Sequence, residues 1–155
     1  MHTVNGRTLA AEATAIRELL DTYHGAINFR DWAVLGRLFT EDAVWEALPP
    51  ISLRFEGRPN VLDGLRHSVE RQEFLVQSSS GVLIDFIDDR TADVRSTLSE
   101  FGKEKASGNG WRAVAVYLDR VIKESGTWRF QRRTLKLRYQ GNSPAPGAVL
   151  DLTSN

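Results

Sequence analysis

Apolar residues recur at helical spacing near the start of the chain and at strand spacing through its second half. Ala13, Ile16, Leu20, Tyr23 and Ile27 form one stripe, and Trp32, Leu35, Leu38 and Phe39 resume it after a break at 29–31. The first helix is expected to start near Thr8, whose hydroxyl can cap free amides, with Glu12 suiting the positive end of the helix dipole. Gly25 costs this helix about 1 kcal/mol against alanine, and a close backbone approach is the expected reason for it. A turn at 40–42 leads into a short strand over 43–47, and Pro49-Pro50 then interrupts the ladder because proline donates no hydrogen bond. A second short strand, 52–56, turns at Gly57. Pro59 then opens a third helix, with Val61, Leu62, Leu65 and Val69 on its apolar face.

From Phe74 onward the period falls to two. Long strands are expected at 74–87, 91–105, 111–123 and 128–140, with hairpin turns at Asp88-Asp89 and Ser125-Gly126 and a looser loop over 106–110. Helices first and strands later make an α+β fold: a curved antiparallel sheet packed against three N-terminal helices, a cone around a central pocket. If Ser125-Gly126 is a two-residue loop, Asp119 faces Arg132, Val121 faces Phe130 and Lys123 faces Trp128. Leu118, Ile122, Leu135 and Leu137 then lie on the other face of the sheet, and that alternation predicts a homodimer through the outer face.

At 155 residues the chain is expected to be one domain, with an arm over 1–7, a core over 8–140 and a tail over 141–155. A domain of this size buries roughly 70% of its unfolded surface, enough to hold a cavity and still fold. Val149, Leu150 and Leu152 suggest that the tail docks over the cavity mouth or on a partner subunit. The 20 basic and 20 acidic residues are scattered, so neither nucleic acid nor an anionic membrane is an expected partner. No cysteine is present, which excludes disulfides and thiolate ligands. The three histidines, His2, His24 and His67, lack metal-ligand spacing, and no phosphate loop or dinucleotide fingerprint occurs, so no metal or cofactor is expected. No signal-type or membrane-length apolar run is seen, and a soluble cytoplasmic protein is the expectation.

Tyr23, Ile27-Asn28, Arg30-Asp31-Trp32, Leu35, Leu38-Phe39-Thr40, Asp42-Ala43 and Trp45, followed by Gly57-Arg58-Pro59 and the long strands, resemble the SnoaL-like branch of the NTF2-like superfamily. The resemblance covers about 11–139. It specifies fold far better than function, since that fold hosts cyclases, dehydratases, isomerases, a dehydrochlorinase, dioxygenase small subunits and proteins without chemistry.

The resemblance implies where functional groups would lie. Tyr23 aligns with a tyrosine that, in ketosteroid-isomerase-like members, donates to a developing enolate oxygen, and Asp119 with a protonated aspartate beside it. Where those members keep a carboxylate base this chain has Ala47. The aspartate–histidine dyad of the dehydratase and dehydrochlorinase members falls on Asn28 and Gln77. Both are amides, which hydrogen-bond but take no proton near neutral pH. His24 and Asp119 are then the proton acceptors left in view. The small residues of Ser78-Ser79-Ser80-Gly81 leave room in the cavity or kink the strand.

The expected lining is Tyr23, Asn28, Trp45, Phe55, Gln77, Ser79 and Tyr117, with Arg132 or Arg133 contributing charge. It suits a flat, mostly apolar cyclic or aromatic compound with one or two carbonyl or hydroxyl groups. Three functions fit: a cofactor-independent isomerase, dehydratase or cyclase; a protein that binds such a compound without turning it over; or an accessory subunit resembling a ring-hydroxylating dioxygenase β chain.

Overall fold

The computed structural model describes residues 3–4, 7–143 and 149–150. Two short strands, β1 (Thr3–Val4) and β2 (Arg7–Thr8), pair with each other within and just beyond the expected arm. Helix α1 (Leu9–Asn28) begins where Thr8 accepts the Ala11 amide on its Oγ1 at 3.2 Å, so one free amide of the first turn is satisfied. The helix ends where Arg30 takes a positive φ of 54° and the Phe29 and Asp31 amides return to the Gly25 and Ala26 carbonyls. Asp31 then caps α2 (Trp32–Arg37) through Val34. Gly57 and Pro59 open α3 (Arg58–Glu70).

Six strands form one sheet in the order β4-β3-β8-β7-β6-β5: β3 (Phe39–Ala47), β4 (Leu53–Glu56), β5 (Gln72–Phe86), β6 (Thr91–Glu104), β7 (Gly110–Glu124) and β8 (Thr127–Asn142). The long strands make the expected antiparallel meander, and β3 joins it alongside β8 in parallel. β3 starts earlier than its pattern suggested. The segment 40–42 is an irregular stretch of strand rather than a turn, with Thr40 donating to Asp42 Oδ1 at 2.8 Å.

One inserted residue revises the register. Ser125 and Gly126 both hold positive φ, 48° and 81°, as a two-residue hairpin loop of the right twist demands. Lys123 therefore pairs with Trp128 and Val121 with Phe130, as expected. Gln131 then bulges out of the β7–β8 ladder, and beyond it Arg120 pairs with Arg132 and Asp119 with Arg133. The bulge also turns Leu135 inward, where it is buried opposite Tyr117, and Leu137 follows it opposite Ala115. The expectation that both leucines lie outside fails for that reason. Leu118 remains outside, 42% exposed.

The apolar face of α1 meets the sheet interior in a core of Ile16, Leu20, Tyr23, Ile27, Leu35, Phe39, Val61, Leu98, Tyr117, Val121 and Phe130. Beneath it Glu12, fully buried, accepts from Lys123 Nζ and Trp128 Nε1, each at 2.7 Å, tying the start of α1 to the hairpin. Gly25 has open space where a Cβ would stand, contrary to the expected close approach. On the helical side a close approach is found at Gly64, whose Cβ would meet the Phe55 ring at 2.5 Å. Most of the tail, and His2, lie outside the described residues.

Candidate functional site

The site grows from the last two turns of α1. Tyr23, His24, Ile27 and Asn28 span little more than one turn, so their side chains fan across the face that meets β5, β7 and β8. Tyr23 and His24 are buried, at 1% and 5% exposure, and their rings meet edge to face with centroids 5.3 Å apart.

Asn28 does not act as a free amide. Its Nδ2 donates to the Gln77 carbonyl and its Oδ1 accepts from the Gln77 amide, both at 2.8 Å, so the side chain docks α1 onto β5 as a strand neighbour would. The Gln77 side chain continues inward, placing Oε1 at 3.3 Å from His24 Nδ1 while Nε2 donates to Glu100 Oε2 at 2.8 Å. Glu100 sits on β6 in the same inward alternation as Val94, Ser96 and Leu98. Burial pushes its carboxyl above the usual range, and the Gln77 donor opposes that.

Deeper in, Arg133 is wholly buried and grips Asp119 with two hydrogen bonds, from Nε at 3.0 Å and Nη2 at 3.1 Å. Its guanidinium carbon lies 4.1 Å from the centre of the Tyr23 ring, 3.8 Å from that of Tyr117 and 4.2 Å from that of Phe130. Three π faces and one carboxylate thus surround a fixed positive charge. Burial pushes the Asp119 carboxyl up to about 6 against the pull of Arg133, still below neutral, so the pair is charged at pH 7. The Tyr23 and Tyr117 hydroxyls stand 3.4 Å apart, and burial raises both above the ordinary phenol value, which leaves both as neutral hydrogen-bond donors. His24 is held down to about 4 by burial and by the Arg133 charge, so its ring is neutral at pH 7.

Several buried polar atoms here have no hydrogen-bond partner: His24 Nε2, Arg133 Nη1, Trp45 Nε1 and Ser96 Oγ. They belong to one neighbourhood. Trp45 lies against the Tyr23 hydroxyl, Arg133 stacks on Tyr23 and Tyr117, and Ser96 pairs across the ladder with Tyr117. A buried polar group without a partner costs roughly 1–3 kcal/mol, so each of these atoms calls for a partner, an ordered water or a ligand.

The expected lining residues divide accordingly. Tyr23, His24, Asn28, Gln77, Tyr117 and Asp119 come together, and Trp45 stacks on Phe55 with centroids 5.8 Å apart. Ser79 is half-buried on β5, two residues from Gln77 and on the same side of the strand. Arg132 is on the opposite face, paired with Glu46, because the Gln131 bulge gives the inward place to Arg133. Glu100 was missed, although a glutamate in phase with Val94 and Leu98 was the available signal. His67 is exposed on α3. Among the described residues no group of histidine and carboxylate side chains could hold a metal, and no helix is long and apolar enough to cross a membrane.

A groove of about 800 Å³ opens on the outer face, lined by Asp85, Asp93, Arg95, Leu118, Arg120 and Arg132 among others. Its charges already satisfy one another, Arg95 with Asp85, Arg120 with Asp93 and Arg132 with Glu46. The inner cluster is the better candidate, since that is where partners are missing.

A SnoaL-like domain model matches residues 8–134. No curated protein matches the chain in sequence. Among solved structures, a candidate scytalone dehydratase from Novosphingobium aromaticivorans DSM 12444 is 22% identical, with a TM-score of 0.79 over 94% of this chain and 97% of its own. Hexachlorocyclohexane dehydrochlorinase LinA-type3 from Novosphingobium barchaimii LL02 is 17% identical, with a TM-score of 0.81 over 92% and 97%. A protein of unknown function with a cystatin-like fold from Nostoc punctiforme PCC 73102 is 18% identical, with a TM-score of 0.69 over 83% and 92%. At these identities the likeness is one of fold.

Proposed function

We propose, from the premise that the chain belongs to the SnoaL-like family, that it binds a small, mostly apolar cyclic or aromatic carbonyl compound and moves a proton on it without a cofactor, as a lyase or isomerase. The single observation that carries this reading is the His24 ring: buried, neutral, bonded through Nδ1 to Gln77, with Nε2 free of any partner. A neutral imidazole nitrogen held in that way has a lone pair able to accept a proton, which is what a general base needs.

In the step this allows, His24 Nε2 takes a proton from the carbon beside the carbonyl. The C–H electron pair becomes the enolate double bond, and the charge gathers on oxygen. Arg133 Nη1, the Trp45 N–H and the Tyr23–Tyr117 hydroxyls are the unsatisfied or shareable donors that would hold that oxygen. The imidazolium then returns the proton at a second carbon, which isomerises the compound, or the enolate expels a leaving group from the next carbon, which is an elimination. Two of the fold neighbours carry names, dehydratase and dehydrochlorinase, that speak of elimination. Asp119 serves as the counter-ion of Arg133, not as the base.

The test is proton NMR in D₂O with a panel of cyclic enones, phenols and steroid-like ketones, reading saturation transfer and carbon-bound deuterium together. The expected result is deuterium uptake that falls by about 10²–10⁴ in His24→Gln, the range a positioned base contributes, while saturation transfer persists. Uptake unchanged in His24→Gln refutes the role. A second reading has its own observation: Asn28 and Gln77 are both spent on hydrogen bonds, which suits a protein that holds its ligand without turnover. Saturation transfer with no exchange from any compound would support that reading. Self-association through Leu118 and Ile122 on the outer face belongs to the same proposal, and a monomer at micromolar concentration by light scattering would remove it.

A further inference from the structure

We infer that Glu100 is a positioning residue that acts through the Gln77 side-chain amide to fix His24 in the form that carries its proton on Nδ1 and leaves Nε2 bare. The inference rests on the reading of His24 as a base and adds what makes it one.

An imidazole without a partner can place its single proton on either nitrogen, and only one choice leaves Nε2 able to accept. The choice is made by what faces Nδ1. The Gln77 side chain presents an amide there, and an amide is nearly symmetric in shape, with an acceptor at one end and a donor at the other. Asn28 holds the Gln77 backbone on both its N–H and its C=O, so the strand cannot shift and the amide flip is the freedom that remains.

Glu100 removes that freedom. An ionised carboxylate only accepts, so it draws the Nε2 end, at 2.8 Å, and turns the Oε1 end to His24 at 3.3 Å. An oxygen facing Nδ1 needs a proton there. Carboxylate, amide and imidazole therefore form a one-way chain across β6, β5 and α1.

The surroundings do not make the same choice. Glu100 faces Gln77 on β5 and the Tyr117 phenol on β7, and among the described residues no ion pair reaches it. His24 faces Gln77, the Tyr23 ring on its own helix and the Arg133 charge on β8. The Arg133 charge opposes the imidazolium but gives no hydrogen bond to either nitrogen, so it keeps the ring neutral without selecting a form.

The test uses the full chain with ¹⁵N-labelled histidine and two-bond ¹H–¹⁵N correlation spectra at pH 7, identifying His24 as the signal absent from His24→Gln. The wild type is expected to show the Nδ1–H form alone. Glu100→Met removes the acceptor and Glu100→Gln offers Gln77 either end, so both are expected to lose the single form. Glu100→Gln has the volume of the native residue and carries the test if the methionine variant does not fold. A wild-type His24 protonated on Nε2, or a folded Glu100 variant of either kind that keeps the single Nδ1–H form, overturns the inference.

On any compound that exchanges, Glu100→Gln is expected to slow deuterium uptake by up to about 10²-fold, the lower end of what a positioned base contributes, with saturation transfer unchanged. Failure here is separable from failure of the base itself. A histidine form indifferent to Glu100, with exchange still abolished in His24→Gln, sinks only the positioning role. Exchange surviving His24→Gln sinks the base whatever the spectra show.

Discussion

Removing the charge of Asp119 while keeping its shape, in Asp119→Asn, tests whether the centre of the molecule is a coupled pair or two separately tolerated groups. Both side chains are fully buried and joined by two hydrogen bonds. Breaking a buried pair from one side leaves an uncompensated charge and costs about 3–5 kcal/mol. The three aromatic faces that remain around Arg133 each return about 0.5–2 kcal/mol to a desolvated cation, which places Asp119→Asn toward the lower end. For a domain of this length each kcal/mol moves Tm by roughly 2–4 °C, so a fall on the order of 10 °C is expected.

The partner variants complete the cycle. Arg133→Met should be as damaging at pH 7, and less so at pH 5, because the stranded Asp119 carboxyl can then neutralise itself by binding a proton. Asp119→Asn combined with Arg133→Met should lose less than the two single changes added together, since neither change then strands a buried charge. Urea unfolding of the four proteins at pH 7 and pH 5 reads all of this. A loss under about 1 kcal/mol in Asp119→Asn, or a double variant as unstable as the sum of its parts, would refute the coupling.

The His24 ring makes a pH prediction whose sign follows from its depression from 6.5 to about 4. The unfolded chain takes the proton first, so this group's contribution is complete above about 6.5 and lost as pH falls toward 4; against His24→Gln, wild-type stability should therefore decline by roughly 2–4 kcal/mol over that window in urea melts. Asp119, raised to about 6 from 3.8, works in the opposite direction between those values, so the difference between the two proteins, not the wild-type curve alone, is the measurement to make. Gly25→Ala, with open space at the new Cβ, should stabilise by about 1 kcal/mol and raise Tm by a few degrees. Gly64→Ala drives a methyl into the Phe55 ring and should cost about 1–3 kcal/mol, with a change in Trp45 fluorescence because Phe55 stacks on that indole.

The fold was legible because it rests on local signals: helical stripes, the Thr8 cap, and a hairpin loop whose residues both accept positive φ. The site was legible only in part. Tyr23 could be placed by its helical period, and Asn28 and Gln77 by what the family resemblance implies, but the pairing of Asp119 depended on one bulged residue, Gln131. Nothing in the sequence of β8 marks it as extra, since glutamine fits a strand position as well as a bulge. That single insertion exchanges Arg132 for Arg133 at the centre of the core and carries Leu135 inside with it. Glu100 was hidden for another reason. A glutamate on an exposed strand face is ordinary, and only the alternation with Val94 and Leu98 shows that this one points inward.

The amides at Asn28 and Gln77 look like a loss when set against the dyad that the family resemblance leads one to expect, but on the function proposed above they are a redistribution of the same parts. A helical carboxylate and a strand imidazole would meet where α1 crosses β5. Here the imidazole is on the helix one turn earlier, at His24, the strand supplies the amide that orients it, and the carboxylate stands one strand further away, at Glu100. Each group is a single hydrogen bond from the next, so orientation can still pass from an acid to an imidazole although neither occupies the expected place. Asn28 then does the work left over, binding Gln77 by its backbone so that the amide is aimed. On this view an aspartate at 28 would lose the donor to the Gln77 carbonyl, set a carboxylate oxygen against it and unseat the strand it now holds. Asn28→Asp should accordingly weaken His24 as a base instead of recreating a dyad, and a gain in deuterium exchange in that variant would show the relay to be dispensable.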